Sequence, residues 1–165
     1  MTYYTIFNGP FCDIILVGNE RGLNHLHLDT GEGSRRFDIQ DDWKRNDPFF
    51  AEIVEQLAEY FSGQRRSFNV KINPLGSDFQ KQVWQELTTI GYGELVTYKE
   101  VARAIGNERA SRAIGMANSK NPIPLIVPCH RVIGANGQLT GFAHGLAIKE
   151  KLICFEKTNQ SVIAT

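Results

Sequence analysis

The sequence predicts an α+β chain in two parts: a small antiparallel sheet carrying a helix over residues 1–74, then a mainly helical part with a helix-turn-helix over residues 75–165. Three observations carry that prediction. Early segments run as short apolar blocks or alternate apolar with polar, and turn residues separate them, as in strands. After Pro74 the apolar positions recur three and four apart, and two Ser/Thr-x-x-Gln/Glu capping boxes open helices there. Between the two patterns lies Asn73-Pro74-Leu75-Gly76, a breaker that marks the expected boundary.

Taken in order, Tyr3 to Phe7 and Cys12 to Gly18 read as strands around Asn8-Gly9-Pro10, and Leu23 to Leu28 alternates through His25 and His27. Both histidines are expected to face solvent. Together with Cys12 they are zinc-ligand types, but a closed structural site needs four ligands and no convincing fourth is found, so no metal is expected. Gly31 to Asp42 is polar and reads as a loop. Asp47-Pro48 reads as an N-cap with proline at the first helical position, followed by Phe50, Ile53, Val54, Leu57 and Phe61 at helical spacing before Gly63. Phe68 to Ile72 reads as a further strand.

In the second part, Ser77-Asp78-Phe79-Gln80 opens a helix with Phe79, Val83, Leu87 and Ile90 inward, ended by Gly91-Tyr92-Gly93. Thr97-Tyr98-Lys99-Glu100 opens a short helix carrying Val101, Ala102 and Ile105, and Gly106-Asn107 stops it. A third helix is expected from Glu108 to about Asn118. Two short helices around a glycine-containing turn form a helix-turn-helix candidate. The third helix is rich in Ala, Ser and Gly, thin enough for close approach to another backbone, with Arg109 and Arg112 projecting from it. Thr97 to Lys120 holds 5 basic and 2 acidic side chains, in keeping with phosphate contact, although a solvated basic face would read the same way.

Asn121-Pro122-Ile123-Pro124 leads into the apolar run Leu125 to Val127, which suits a buried strand and delivers Cys129, His130 and Arg131 between Pro128 and Gly134. A cysteine is a few per cent thiolate at neutral pH unless a base or a positive charge favours ionisation, and His130 and Arg131 are such neighbours. If the strand continued through them, Cys129 and His130 would face opposite ways, so contact needs a turn or a bridging water. Gly134 to Gly137 reads as a turn, Leu139 to Phe142 as a loop, and Leu146 to about Lys157 as a last helix. There Glu156 follows Ile153 and Leu152 by three and four residues, placing a carboxylate on the buried face. A buried carboxylate must find a donor, and His130 would complete a Cys, His and Glu set. The competing readings are a structural buried cysteine and a near-surface pair of Glu156 with Lys149 or Lys157.

The chain has no formal net charge, but residues 1–74 carry 8 basic and 11 acidic side chains against 10 and 7 for residues 75–165, so a polyanion would meet the second part. Cys12, Cys129 and Cys154 make an odd set without paired spacing, which argues for a reducing compartment. No stretch is long enough to cross a membrane, and Met1-Thr2-Tyr3-Tyr4 lacks the features of a signal peptide, so a cytoplasmic protein is expected.

From about Gly76 to Glu156 the sequence resembles the O6-alkylguanine-DNA alkyltransferases. The residues carrying the likeness are Pro128-Cys129-His130-Arg131-Val132, Asn121-Pro122 before it, Arg112, Tyr98 and the terminal helix ending in Glu156, all in the family's order and spacing. The resemblance implies an RNase H-like fold for the N-terminal part. It implies repair of O6-alkylguanine, and of O4-alkylthymine, in double-stranded DNA by irreversible transfer of the alkyl group to Cys129, in a monomer without a cofactor. His130 would take the thiol proton through a water, Glu156 would orient the imidazole, and Asn121 would brace the turn. Tyr98 would donate to the departing guanine, and backbone groups of Val132 and Ala143 would read the base beside Phe142. Arg112 would fill the stack vacated by a flipped base, and Arg109, Ala113 and Gly115 would lie against the DNA. Phe142 replaces a usual tyrosine and His144 a usual glycine, which bears on pocket size and substrate range. Related alkyltransferase-like proteins have tryptophan at the reactive position and only bind. A helix-turn-helix binder or regulator without chemistry leaves Cys129 and Glu156 unexplained, and a cysteine hydrolase leaves the DNA-facing features unexplained.

Overall fold

The computed structural model describes residues 1–140 and 142–163. Strands β1 (Tyr3–Asn8), β2 (Asp13–Asn19) and β3 (Gly22–Asp29) form an antiparallel meander, and a two-residue β4 (Lys44–Arg45) joins β1 in parallel, giving the order β3-β2-β1-β4. In the central strand β2, Ile14 and Leu16 enter the main core while Ile15 and Val17 are buried on the other face.

That second face corrects one expectation. Ile15 pairs with His27 and Val17 with His25, so the histidines share the face of two buried aliphatics. The loop after β3 folds back across it, stacking Phe37 on His27 at 4.8 Å between ring centres, with His25 at 5.5 Å and Trp43 behind Phe37 at 5.9 Å. His27 is therefore only 7% exposed. Alternation signals a solvated face only when nothing covers that face, and here the polar-looking loop supplies the cover.

The segment expected as a strand over Phe68 to Ile72 makes one isolated bridge, between Ile72 and Leu23. It cannot extend, because β3 begins at Gly22 and Pro74 has no amide to offer. Pro48 to Phe50 form a 3-10 turn that continues into α1 (Ala51–Phe61). Proline opens it as expected, but Asp47 does not cap. Its carboxylate accepts instead from Thr5 Oγ1 at 2.7 Å and Arg45 Nε at 2.9 Å, and Asn46 Oδ1 receives the Phe49 amide. Leu57 and Tyr60 are the buried residues of α1.

Both capping boxes are formed, opening α2 (Asp78–Leu87) and α3 (Tyr98–Ala104). α4 (Ser111–Ser119) starts three residues later than the composition suggested, because Glu108 and Arg109 belong to the turn after Gly106, whose φ of 79° ends α3. The Trp84 indole ties α2 to α4 by donating to the Ala117 carbonyl at 2.8 Å. Strands β5 (Val96–Thr97) and β6 (Val132–Ile133) pair in parallel, which brings the start of α3 beside the end of the Cys129 segment. α5 (Leu146–Ile163) runs beyond the expected Lys157. A single apolar cluster spans both parts of the chain, from Ile14 and Leu57 through Leu87 and Ile114 to Val127 and Leu152.

The apolar run before the reactive residues is not a strand. Val127 N–H bonds back to Ile123 O at 2.9 Å, Leu125 has φ of 73°, and Cys129 to Arg131 form one 3-10 turn. Pro122, Pro124 and Pro128 each withhold an amide that a sheet ladder would need, so the run is buried by the core and not by sheet pairing. Gly141, in the loop expected over Leu139 to Phe142, lies outside the described residues.

Candidate active site

The 3-10 turn over Cys129 to Arg131 points successive side chains about 120° apart, so Cys129 and His130 leave the backbone in different directions. Both are interior: Cys129 is 3% exposed and His130 fully buried. His130 Nε2 lies 2.8 Å from Glu156 Oε2 on α5. Beside an ionised Glu156, Nε2 carries the hydrogen and Nδ1 is left as the acceptor; Nδ1 is buried and has no hydrogen-bond partner among the described residues.

Glu156 is 1% exposed and surrounded by donors. Arg131 grips it with Nε to Oε1 at 2.8 Å and Nη2 to Oε2 at 3.0 Å, while its Nη1 holds Ile90 O at 2.6 Å. The Gly93 amide donates to Oε1 at 3.2 Å and the Tyr60 hydroxyl to Oε2 at 2.7 Å. This deep setting replaces the near-surface lysine pair that the sequence left open. Burial alone would raise the Glu156 pKa, but the hydrogen bonds from His130 and Arg131, with the Arg131 charge, outweigh it and hold the carboxyl well below its usual range. Burial lowers the His130 pKa, against the pull of Glu156. The pair is thus a neutral imidazole on a fixed carboxylate, ready to accept a proton.

Burial pushes the Cys129 thiol up, and the Asn121 amide, the Lys149 and Arg35 charges and a backbone bond act the other way. Asn121 is 2% exposed and braces the turn, donating through Nδ2 to Val127 O at 2.8 Å and accepting the Ile123 amide at 3.0 Å. Asn118 Nδ2 reaches Cys129 O at 3.3 Å. Tyr98 donates its hydroxyl to Thr140 O at 2.9 Å. The same carbonyl receives Lys149 Nζ at 2.9 Å, and that ammonium also bonds Val132 O at 2.6 Å. Burial lowers the Lys149 pKa to about 8, opposed by Cys129.

Phe142 and Ala143 help to line a cavity of about 590 Å³, together with Ser34, Ser119, Gly145 and Leu146. The Ala143 carbonyl accepts the amides of Ser34 and Arg35 at 2.9 and 3.0 Å. The Arg35 guanidinium bridges the Asn121 and Ser119 carbonyls, both at 2.7 Å. His144 turns inward onto His27, 5.2 Å between ring centres, and burial with Arg35 and His27 nearby lowers its pKa to about 3. His144 is thus a buried, uncharged ring packed against His27.

Arg112 and Ala113 are exposed on the outer face of α4, and Arg109 is exposed in the turn before it, not on the helix as expected. Gly115 is half-buried, and a Cβ there would lie 3.9 Å from the Tyr98 ring, so it faces that ring more than the solvent. Cys129, His130, Glu156, Asn121, Tyr98 and Val132 thus gather around one turn, with Phe142 and Ala143 on the adjoining cavity. Tyr60, Arg35, Asn118 and Lys149 were not assigned a site role by the sequence. Tyr60 falls three residues after Leu57 on an apolar helix face, and a polar tip there needs a partner, which was a usable signal. Arg35 stands in a polar loop and gave none.

The chain matches two family descriptions: "6-O-methylguanine DNA methyltransferase, ribonuclease-like domain" over residues 2–74 and "6-O-methylguanine DNA methyltransferase, DNA binding domain" over residues 78–158. It is 53% identical over 157 residues to a methylated-DNA--protein-cysteine methyltransferase of Methanosarcina barkeri, covering 95% of this chain and 98% of that one. It is 43% identical over 159 residues to a protein of the same description from Mycobacterium leprae, covering 95% and 93%. The crystal structure of Mycobacterium tuberculosis O6-methylguanine methyltransferase superposes with a TM-score of 0.85 at 41% identity, covering 96% of this chain and 94% of that one. The Mycobacterium tuberculosis protein in complex with DNA superposes at 0.86 with 40% identity, covering 95% and 94%.

Proposed function

The chain belongs to the 6-O-methylguanine DNA methyltransferase family, and from that premise we propose that Cys129 accepts the alkyl group and that O6-alkylguanine in duplex DNA, with O4-alkylthymine beside it, is the substrate. The protein is a methylated-DNA--protein-cysteine methyltransferase, acting in direct DNA repair. One observation supports the assignment of roles more than any other: a buried thiol and a buried imidazole share a turn, and the imidazole is paired with an ionised carboxylate 2.8 Å away.

The thiol proton passes through a water to His130 Nδ1, and the resulting imidazolium is held by Glu156. The Cys129 sulfur attacks the alkyl carbon, an S–C bond forms and the C–O6 bond breaks, and its electron pair stays on the guanine. Tyr98 donates to the purine as that charge develops, which is stabilisation of the kind that acts in the transition state. To do so its hydroxyl leaves Thr140 O, so arrival of the base exchanges one hydrogen bond for another. The thioether has no route back to a thiol, so each chain acts once.

In this reading the target base leaves the duplex to reach an interior thiol, Arg112 takes its place in the stack, Arg109 and Ala113 lie along the backbone, and backbone groups of Val132 and Ala143 read the base. Residues 1–74 and 75–165 are taken as two units, the second carrying DNA contact and chemistry. We take the working form as a monomer in the cytoplasm, a reading with which the free thiols Cys12, Cys129 and Cys154 agree.

The test is mass spectrometry after incubation with a duplex containing O6-methylguanine. One methyl group per chain, on the peptide holding Cys129, is expected. Repeated turnover, or a label on Cys12 or Cys154, would overturn the assignment.

A further inference from the structure

The carboxylate that steadies His130 is held from the N-terminal part of the chain as well as from its own neighbourhood. Tyr60 on α1 is 1% exposed, and its hydroxyl meets Glu156 Oε2 at 2.7 Å, the oxygen that also faces His130 Nε2. The ring is packed among Phe61, Phe68, Tyr92 and Phe155, with centres between 5.1 and 6.1 Å away, so the hydroxyl has little freedom to point elsewhere. Burial and the neighbouring Glu156 keep the phenol protonated well above its usual range, which makes Tyr60 a donor.

We propose that Tyr60 is a positioning residue of the proton relay, fixing Glu156 Oε2 toward His130 and limiting how strongly that oxygen binds the imidazole proton. The proposal rests on the relay described above. Its physical content is a competition for one oxygen. Oε2 accepts from His130, Tyr60 and Arg131 Nη2, and each donor withdraws electron density that the others could use. Removing the hydroxyl makes the carboxylate a better partner for imidazolium, which raises the His130 pKa and keeps the base protonated, hence useless, to a higher pH. The other titratable or charged groups around the pair are Tyr92, Arg131 and Lys149, and none of them supplies a second hydroxyl to Oε2.

Tyr60→Phe keeps the ring and deletes the hydroxyl. Transfer from the free base benzylguanine is followed from pH 5 to pH 9, so that DNA binding does not enter. The acid limb of the profile is expected to move up by about one pH unit, leaving the variant up to about tenfold slower in acid and close to the parent above pH 8. In a Glu156→Gln background the same substitution should have no pH-dependent effect, because its route to His130 is gone. A pH-independent slowing, an equal shift in the Glu156→Gln background, or a Tyr60→Phe chain that cannot fold would assign the hydroxyl to packing and overturn the proposal. If the parent itself carries no label on Cys129, it is the underlying relay that fails, and the two failures are distinguishable.

Discussion

In the proposed reading the reactive turn and the outer face of α4 are the two regions that meet substrate, and they are built in opposite ways. At the turn, Cys129, His130, Asn121 and Glu156 are each at most 3% exposed, and the Val127 carbonyl, the Ile123 and Gly93 amides and a fork of guanidinium donors hold Asn121 and Glu156 in place. On α4, Arg112 and Ala113 stand in solvent, Met116 is 61% exposed, and neither Arg109 nor Arg112 has a hydrogen-bond or ion-pair partner among the described residues. Bond-breaking rewards groups already aimed before substrate arrives, since reorientation during the reaction would add to the barrier. Reading a flexible polyanion rewards side chains that are still free to choose a partner.

If this contrast is correct, the two regions should fail differently. Glu156→Gln strikes the preset region: it should slow transfer by about a hundredfold or more, as losses of general-base function do, and leave affinity for duplex DNA nearly unchanged. Equal single-turnover rates for the two proteins across a pH series would remove Glu156 from the relay.

Arg112→Ala strikes the free region where it touches the chemistry. Extruding a base costs a few kcal/mol, so losing the residue that fills the gap should slow repair of duplex DNA by about tenfold or more while reaction with benzylguanine stays near the parent rate. Tyr98→Phe should impair both reactions, because departure of the purine is common to them. An identical slowing of free-base and duplex reactions by Arg112→Ala would place that residue in the pocket or the fold.

Arg109→Ala and Lys120→Ala should show the smallest effect, a few-fold weaker binding with the slope of log affinity on log salt reduced by about one each. Binding isotherms at three salt concentrations decide it, and an unchanged slope would take that residue off the phosphate backbone.

Much of this was legible in the sequence where local rules act alone. Ser77 with Gln80 and Thr97 with Glu100 specify helix starts by reciprocal bonds within four residues, and both boxes form as read. Glu156 was found from its spacing to Leu152 and Ile153. Misreadings arose where distant segments decide. His27 is buried by a loop that looks like solvent-facing coil, Leu125 to Val127 is a buried turn because prolines remove the ladder donors, and Asp47 does not cap because its carboxylate accepts from Thr5 on β1. Arg35 reaches Asn121 and Ser119 across more than eighty residues of sequence, a contact that no spacing rule encodes.

The bonds around Glu156 also say something about the order of folding. Its partners lie 25 and 26 residues away at Arg131 and His130, 63 at Gly93 and 96 at Tyr60, so no helix, hairpin or other local element contains the relay. Loops of that length close late, after the local contacts that make their closure worthwhile. A chain whose terminal helix has not yet packed carries Cys129 beside a histidine without its fixed carboxylate, and one with α1 undocked lacks the Tyr60 bond to that carboxylate. Reactivity of this thiol toward alkylated bases is therefore a report on completed folding, and a refolding experiment should find it returning with the slowest phase, after helical signal has already recovered.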